Sequence, residues 1–196
     1  MKSVFDEYTV FARDSARTIP SDEGWGSGNR PVINVSWQDA SDYAAWLSDK
    51  TQQTYRLPTE AEWEYVAKVN DNNSYSWGSD FDQSLANCTA CAMDNAEASS
   101  SVTQGTSPVG SYPANAQGVF DLHGNVWEWL QDCAYDNYVQ APTNALAHTE
   151  VADCSRILRG GAWDSQAHQL RVSYRNWEPK IYAANNIGFR LLREIP

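Results

Sequence analysis

No apolar run in the 196 residues approaches the length of a membrane span, so a transmembrane helix or direct membrane insertion is not expected. Asp6, Glu7, Arg13 and Asp14 interrupt the stretch Met1 to Ala16, which leaves no apolar signal core; an export signal is not expected, and the compartment stays open. Histidine is scarce: His123, His148 and His168 lie far apart, with no pair at ligand spacing. Cysteine is limited to Cys88, Cys91, Cys133 and Cys154. Cys88-Thr-Ala-Cys91 could be half of a zinc site, but the second half is missing, and structural zinc wants four grouped ligands. The four cysteines allow three pairings or free thiols, and spacing does not choose among them. A Cys133–Cys154 bridge would staple a stretch with little structure of its own, where a crosslink helps most. A Gly-x-Ser-x-Gly elbow is absent too, so nothing supports a serine hydrolase.

Positive charge is sparse over most of the chain. Residues 1–155 hold seven Lys/Arg against 22 Asp/Glu, whereas residues 156–196 hold seven against three. An acidic body argues against nucleic acid and against anionic membrane surfaces. The C-terminal arginines are interleaved with apolar residues, so they are expected to pair with the acidic body inside one fold. Large aromatics are plentiful, with nine Trp and ten Tyr, and most are expected in the core because they carry so much apolar area. The length suits one domain over residues 1–196.

Local signals predict a short helix within Ser3 to Ala16, with Val4, Tyr8 and Phe11 on one side. Pro20 to Pro31 reads as a surface loop and Val32 to Val35 as a short strand. Ser36 with Asp39 starts a helix whose apolar stripe is Ala40, Tyr43, Ala44 and Leu47. Thr59 with Glu62 starts another, with Trp63, Val66 and Ala67 facing inward. Residues 70–118 lack periodicity and include the polar run Glu97 to Ser101. Strands are expected at Gly118–Leu122, Trp127–Gln131, Ile157–Arg159, Leu170–Tyr174 and Gly188–Leu192. Two early helices followed by irregular chain with short strands make an α+β domain of low regular content.

Six segments, in order, resemble one family. They are Pro31-Val-Ile-Asn-Val-Ser-Trp37, Arg56-Leu-Pro-Thr-Glu-Ala-Glu-Trp-Glu-Tyr65, Pro108-Val-Gly-Ser-Tyr112, Gly118-Val-Phe-Asp-Leu-His-Gly-Asn-Val-Trp-Glu-Trp129, Arg159-Gly-Gly-Ala-Trp163 and Gly188-Phe-Arg190. Together they are similar to the formylglycine-generating enzyme (sulfatase-modifying factor) domain, a variant of the C-type lectin fold. The resemblance covers about residues 3–193 and speaks to fold more than to function. Its catalytic members carry two cysteines, five positions apart, that bind copper and oxidise a substrate cysteine. Here the matching positions are Ser165 and Leu170, and the family's nearby serine is Ala162. Neither Ser165 nor Leu170 offers the thiolate that Cu(I) requires, so no copper and no catalysis are expected. The resemblance extends to iron-dependent sulfoxide synthases, but their histidine-rich site has no counterpart here.

In the family, the stretch matching Asp121 to Glu128 holds calcium. Carried across, the ligands are the Asp121 and Glu128 carboxylates and the Gly124 and Val126 carbonyls. Hard oxygens from a tight turn suit Ca²⁺, so a structural calcium ion is expected. A second calcium site would use Asn87, the Cys88 carbonyl and a carboxylate near Ser101 or Asp94.

Residues 156–193 look like the variable region of proteins diversified by retroelements, which use the same lectin-like fold. A framework of Ala167, Leu170, Arg171, Arg175 and Pro179 alternates with Asp164, Ser165, Gln166, His168, Val172, Tyr174, Trp177, Glu178, Lys180, Ile181 and Tyr182. Those eleven residues are expected to share one exposed ligand-binding face, because such side chains combine large contact area with adaptable hydrogen bonds. The expected function is non-catalytic binding of a protein or surface ligand. The alternatives are an oxidase acting on peptide cysteine and an accessory peptide-binding domain.

Overall fold

The computed structural model describes residues 2–68, 73–92, 105–139, 141–149 and 153–195. Three helices come first, α1 (Phe5–Asp14), α2 (Trp37–Thr51) and α3 (Glu60–Ala67). The last two start where local chemistry says they should. Ser36 Oγ accepts from Asp39 N, and the Asp39 carboxylate accepts from Ser36 N at 3.0 Å. Thr59 and Glu62 exchange the same pair of bonds at α3, which satisfies backbone donors that a helix start leaves open. Glu62 also accepts two 2.7 Å bonds from Arg56, which fixes the entry to α3. α1 buries Tyr8 and Phe11 as expected, while Val4 sits just before it.

The strands of the described residues are short: β1 (Tyr55–Arg56), β2 (Trp127–Cys133), β3 (Ser155–Arg159), β4 (Asn176–Pro179), β5 (Ile187–Gly188) and β6 (Leu192–Arg193). β1 pairs with β6, and the other four form one sheet in the order β4-β3-β2-β5, antiparallel except for β2 with β5. Two expected strands match β2 and β3, and the expected strand at 188–192 divides into β5 and β6.

Three expected strands do not form. Val32, Ile33 and Val35 are buried in irregular chain, with Asn34 between them at φ 57. Their backbone bonds go to single partners on different segments, Val32 N to Ser3 O and Asn34 N to Ala184 O. Gly118 and Asp121 both have positive φ, which breaks an extended run at 118–122. Leu170–Tyr174 closes a 3₁₀ turn (Ala167–Leu170) and then turns, because the buried Arg159 guanidinium takes the Val172 carbonyl that a ladder would use. The fourth strand forms beyond it, as β4.

Trp129 is fully buried under the sheet and donates its indole N–H to Val35 O at 3.0 Å. Tyr8, Phe11, Tyr43 and Phe189 pack edge to face beside it, a geometry aromatic rings favour. Trp63 and Trp127 are buried as well, while Trp177 stands out in solvent at 55% exposure. The basic end does pair with the acidic body. Arg159, fully buried, donates to Glu60 at 2.8 Å and to Glu64 at 2.7 Å, and Arg175 holds both Glu60 oxygens. Arg156 lies 4.1 Å over the Trp37 ring. All four cysteines are bonded, as Cys88–Cys91 and Cys133–Cys154. Among the described residues no helix is long and apolar enough to cross a membrane.

Replacing Cys133 and Cys154 together by Ser should cost about 3 kcal/mol in chemical denaturation, and replacing Cys88 and Cys91 should cost less, because the second loop is far shorter. The opposite order would show that loop closure does not govern these bridges. Arg159→Leu should lower stability by about 3–5 kcal/mol by stripping a partner from two carboxylates, one of them buried. A calorimetric change under about 1 kcal/mol would show that Arg175 and water satisfy Glu60 alone.

Candidate functional site

Gly124 and Asn125 are both left-handed, at φ 73 and 69, and form the tight turn the sequence suggested. A side chain at 124 would come within 2.2 Å of Asn87 O, so glycine is required there on steric grounds as well. Asn87 O accepts from Asn125 N at 2.9 Å and locks the turn. The turn points the Gly124 and Val126 carbonyls to one side, where they meet the side chain of Lys2. Its ammonium lies 3.2 Å from Gly124 O, 2.7 Å from Val126 O and 2.8 Å from a Glu128 oxygen.

Glu128 is fully buried. Arg190 donates to each of its oxygens at 2.6 Å, and Trp63 Nε1 donates at 2.8 Å. Burial alone would raise this carboxyl, but the charges of Arg190 and Lys2 outweigh it and hold it down at about 2. Asp121 does not join the group, because one of its oxygens accepts from Gly110 N at 2.6 Å and the other is buried without a hydrogen-bond partner. Three of the four expected calcium ligands therefore converge, but around an ammonium. A carboxylate has about four lone-pair sites, and four donors already use those of Glu128. With Lys2 in place, the residues as they stand do not fit an added calcium ion.

At the other expected site, Asn87 donates its side-chain amide to Gly105 O at 3.0 Å, and Cys88 O accepts from Cys91 N at 3.1 Å. Asp94 and Ser101 lie outside the described residues, as does the run Glu97 to Ser101. Among the described residues, no group of three or more His, Cys, Asp or Glu side chains gathers as a metal site.

The positions matched to the family's copper-binding cysteines are both buried. Ser165 turns its hydroxyl inward to accept from Ala162 N at 2.9 Å, and Leu170 packs with Tyr75, Ala86 and Cys88. The Cys88–Cys91 disulfide thus lies against this place, and Thr89 N donates to Ser165 O at 3.1 Å. Its two sulfurs are bonded to each other, so no thiolate is offered for Cu(I). His123 is likewise structural: its Nε2 accepts from Ser76 N at 3.0 Å and its Nδ1–H donates to Leu170 O at 2.7 Å. Burial lowers it to about 4, so the ring is neutral at pH 7. His148 stacks on Tyr135, and His168 is exposed beside Tyr174.

Of the eleven expected ligand-binding residues, Asp164, Gln166, His168, Trp177, Ile181 and Tyr182 are exposed, and Tyr174, Glu178 and Lys180 are half-buried. Ser165 and Val172 are buried, a correction to the expected face. Val172 packs with Trp63, Leu122, Leu130 and Ile157, because the turn after Leu170 folds it under the sheet. Asp164 accepts from Asn186 at 2.9 Å, and Tyr174 bridges His168 to Trp127 by ring contacts. β4 is an edge strand whose residues alternate in exposure, which turns Trp177 outward while Asn176 and Glu178 are partly covered. The turn after it presents Ile181, 80% exposed, and Tyr182. The framework behind is anchored: Leu170 is fully buried and Arg175 clamps Glu60, while Lys180, one of the expected display residues, pairs at the surface with Asp153 at 2.6 Å.

Sequence reasoning missed a pocket of about 460 Å³ that Arg175 shares with Glu60, Tyr65, Tyr138 and Leu146. These residues come from α3, from the chain after β2 and from the approach to β4, so no spacing in the sequence announces them.

Residues 9–195 match the model of the sulfatase-modifying factor enzyme 1-like domain. The formylglycine-generating enzyme of Streptomyces coelicolor is 33% identical over 172 residues, which cover 84% of this chain and 53% of that protein. Inactive C-alpha-formylglycine-generating enzyme 2 of Mus musculus is 34% identical over 179 residues, 85% of this chain and 52% of that protein. The chain thus spans about half the length of these curated relatives. Among solved structures, PvdO from Pseudomonas aeruginosa superposes with a TM-score of 0.85 at 30% identity, covering 99% of this chain and 78% of that one. Treponema denticola variable protein 1 shares the fold, with a TM-score of 0.68 at 24% identity over 86% of this chain and 72% of that one. The α+β, lectin-like architecture expected from the motifs holds, and the chain belongs to the sulfatase-modifying factor enzyme 1-like family, which includes both formylglycine-generating enzymes and an inactive relative.

Proposed function

We propose that this chain is a non-catalytic binding domain that presents its C-terminal segment to a protein or surface ligand. The observation that carries this reading is the exposure of Trp177, Ile181 and Tyr182 on chain that follows Arg175, which Glu60 holds. Large apolar side chains in water on an anchored backbone cost little entropy on binding, and Trp, Tyr and Arg dominate binding energy at interfaces. A pocket that Arg175 borders with Tyr138 and Leu146 suits one anchoring side chain of a partner. The acidic net charge of −11 disfavours nucleic acid as that partner. The fold shared with a variable protein supports a diversified surface, and the family's inactive relative supports the loss of chemistry.

If these positions serve display, randomising residues 164, 166, 168, 177, 178 and 180–182 together should leave most variants folded, with melting temperatures within about 5 °C of the parent, since exposed side chains each contribute within about 0.5 kcal/mol. Thermal scanning of such a library would refute display by finding most variants unfolded. The rival reading makes the opposite chemical prediction. Protein incubated with Cu(I) and a cysteine-containing peptide, with and without a disulfide reductant, should give no aldehyde by mass spectrometry, and any formylglycine product would restore the oxidase.

A further inference from the structure

We propose that Lys2 is the resident cation of the cradle formed by Gly124 O, Val126 O and Glu128, a tethered ammonium standing where this turn would otherwise enclose a divalent ion. Two carbonyls beside a tight turn and a carboxylate oxygen from the start of the strand after it are the donor set of a hard-cation site. Their distances from Lys2 Nζ, 3.2, 2.7 and 2.8 Å, are those of N–H···O bonds. They exceed the roughly 2.3–2.6 Å at which oxygen binds calcium. The three acceptors take one N–H each, which only a protonated amine can supply.

The charges agree with the geometry. Glu128 stands between Lys2 and Arg190, one carboxylate with two cations, and both Glu128 and the Lys2 side chain are fully buried. A divalent ion added to this set would only enlarge an excess of positive charge in a medium that screens it poorly. The backbone next to Lys2 is already fixed, since Ser3 N donates to Phe189 O and Ser3 O accepts from Val32 N, both at 3.0 Å. An ion carried on the chain needs no dissolved ion to fill the cradle, so the turn keeps its shape whatever the calcium level. The surface at 164–182 then works without calcium, because Trp163 N, just before it, donates to Asn125 O of this same turn at 3.0 Å.

The test compares the melting temperature of the full chain in 10 mM CaCl₂, in 10 mM MgCl₂ and in chelator, for the parent, Lys2→Ala and Lys2→Met. The parent should melt at one temperature in all three. Lys2→Ala and Lys2→Met should melt about 10 °C lower in chelator, because a buried carboxylate and two carbonyls lose a partner. Lys2→Ala should recover at least about 3 °C in calcium and less in magnesium, since an emptied oxygen cradle binds the larger, less demanding ion. A parent whose melting temperature rises in calcium or falls in chelator overturns the proposal, and this holds even if neither variant folds. So does a Lys2→Ala protein that melts like the parent, or one that calcium does not stabilise.

Discussion

The carboxylate of Glu128 accepts from Lys2, from Trp63 on α3 and twice from Arg190, with no water-facing side left to it. An isolated carboxylate could not stay ionised at that depth. Its pairing therefore obliges the chain near residue 2, helix α3, strand β2 and the segment between β5 and β6 to meet at one point. The guanidinium of Arg190 also takes the Phe120 and Asp121 carbonyls, so the turn that precedes β2 is held by the same group. The start of segment 164–182 depends on this point staying closed, because the turn at Gly124–Asn125 bonds onward to Asn87 and Trp163.

A second buried charge cluster does the corresponding work on the same face of the sheet, across the Trp63 ring from Glu128. Arg159 and Arg175 share Glu60, and Tyr138 donates to the same carboxylate at 3.2 Å. These residues hold the chain that leads into β4, and they leave Trp177 and the turn after it free of structural duty. A scaffold whose irregular loops are fixed by satisfied buried charges can vary its outward side chains without moving its backbone. The two positions that match the copper-binding cysteines of the family's oxidases are turned inward as a serine and a leucine.

Much of the framework was legible from residues close together in sequence. Ser36 with Asp39 and Thr59 with Glu62 specify their helices through bonds that span three positions, so no distant contact is needed to predict them. The expected pairing of C-terminal arginines with the acidic body was also correct, because ionised groups interleaved with apolar ones have few other ways to be buried. Exposure along 164–182 was legible only in part. Trp177, Ile181 and Tyr182 are exposed, but Ser165 and Val172 point inward, since the backbone there makes a 3₁₀ turn with no period that the sequence displays.

The sequence by itself determined the family, the two capped helices and the absence of sulfur at the oxidase positions, because each rests on residue identity or on bonds between near neighbours. Only the tertiary structure decided that Cys88 pairs with Cys91 and Cys133 with Cys154, that three expected strands stay irregular, and that Arg175 borders a pocket. It also decided what fills the cradle at Gly124 and Val126. Lys2 stands 122 positions before Gly124, and a motif read as a local cation site cannot reveal an ammonium delivered by chain so far away.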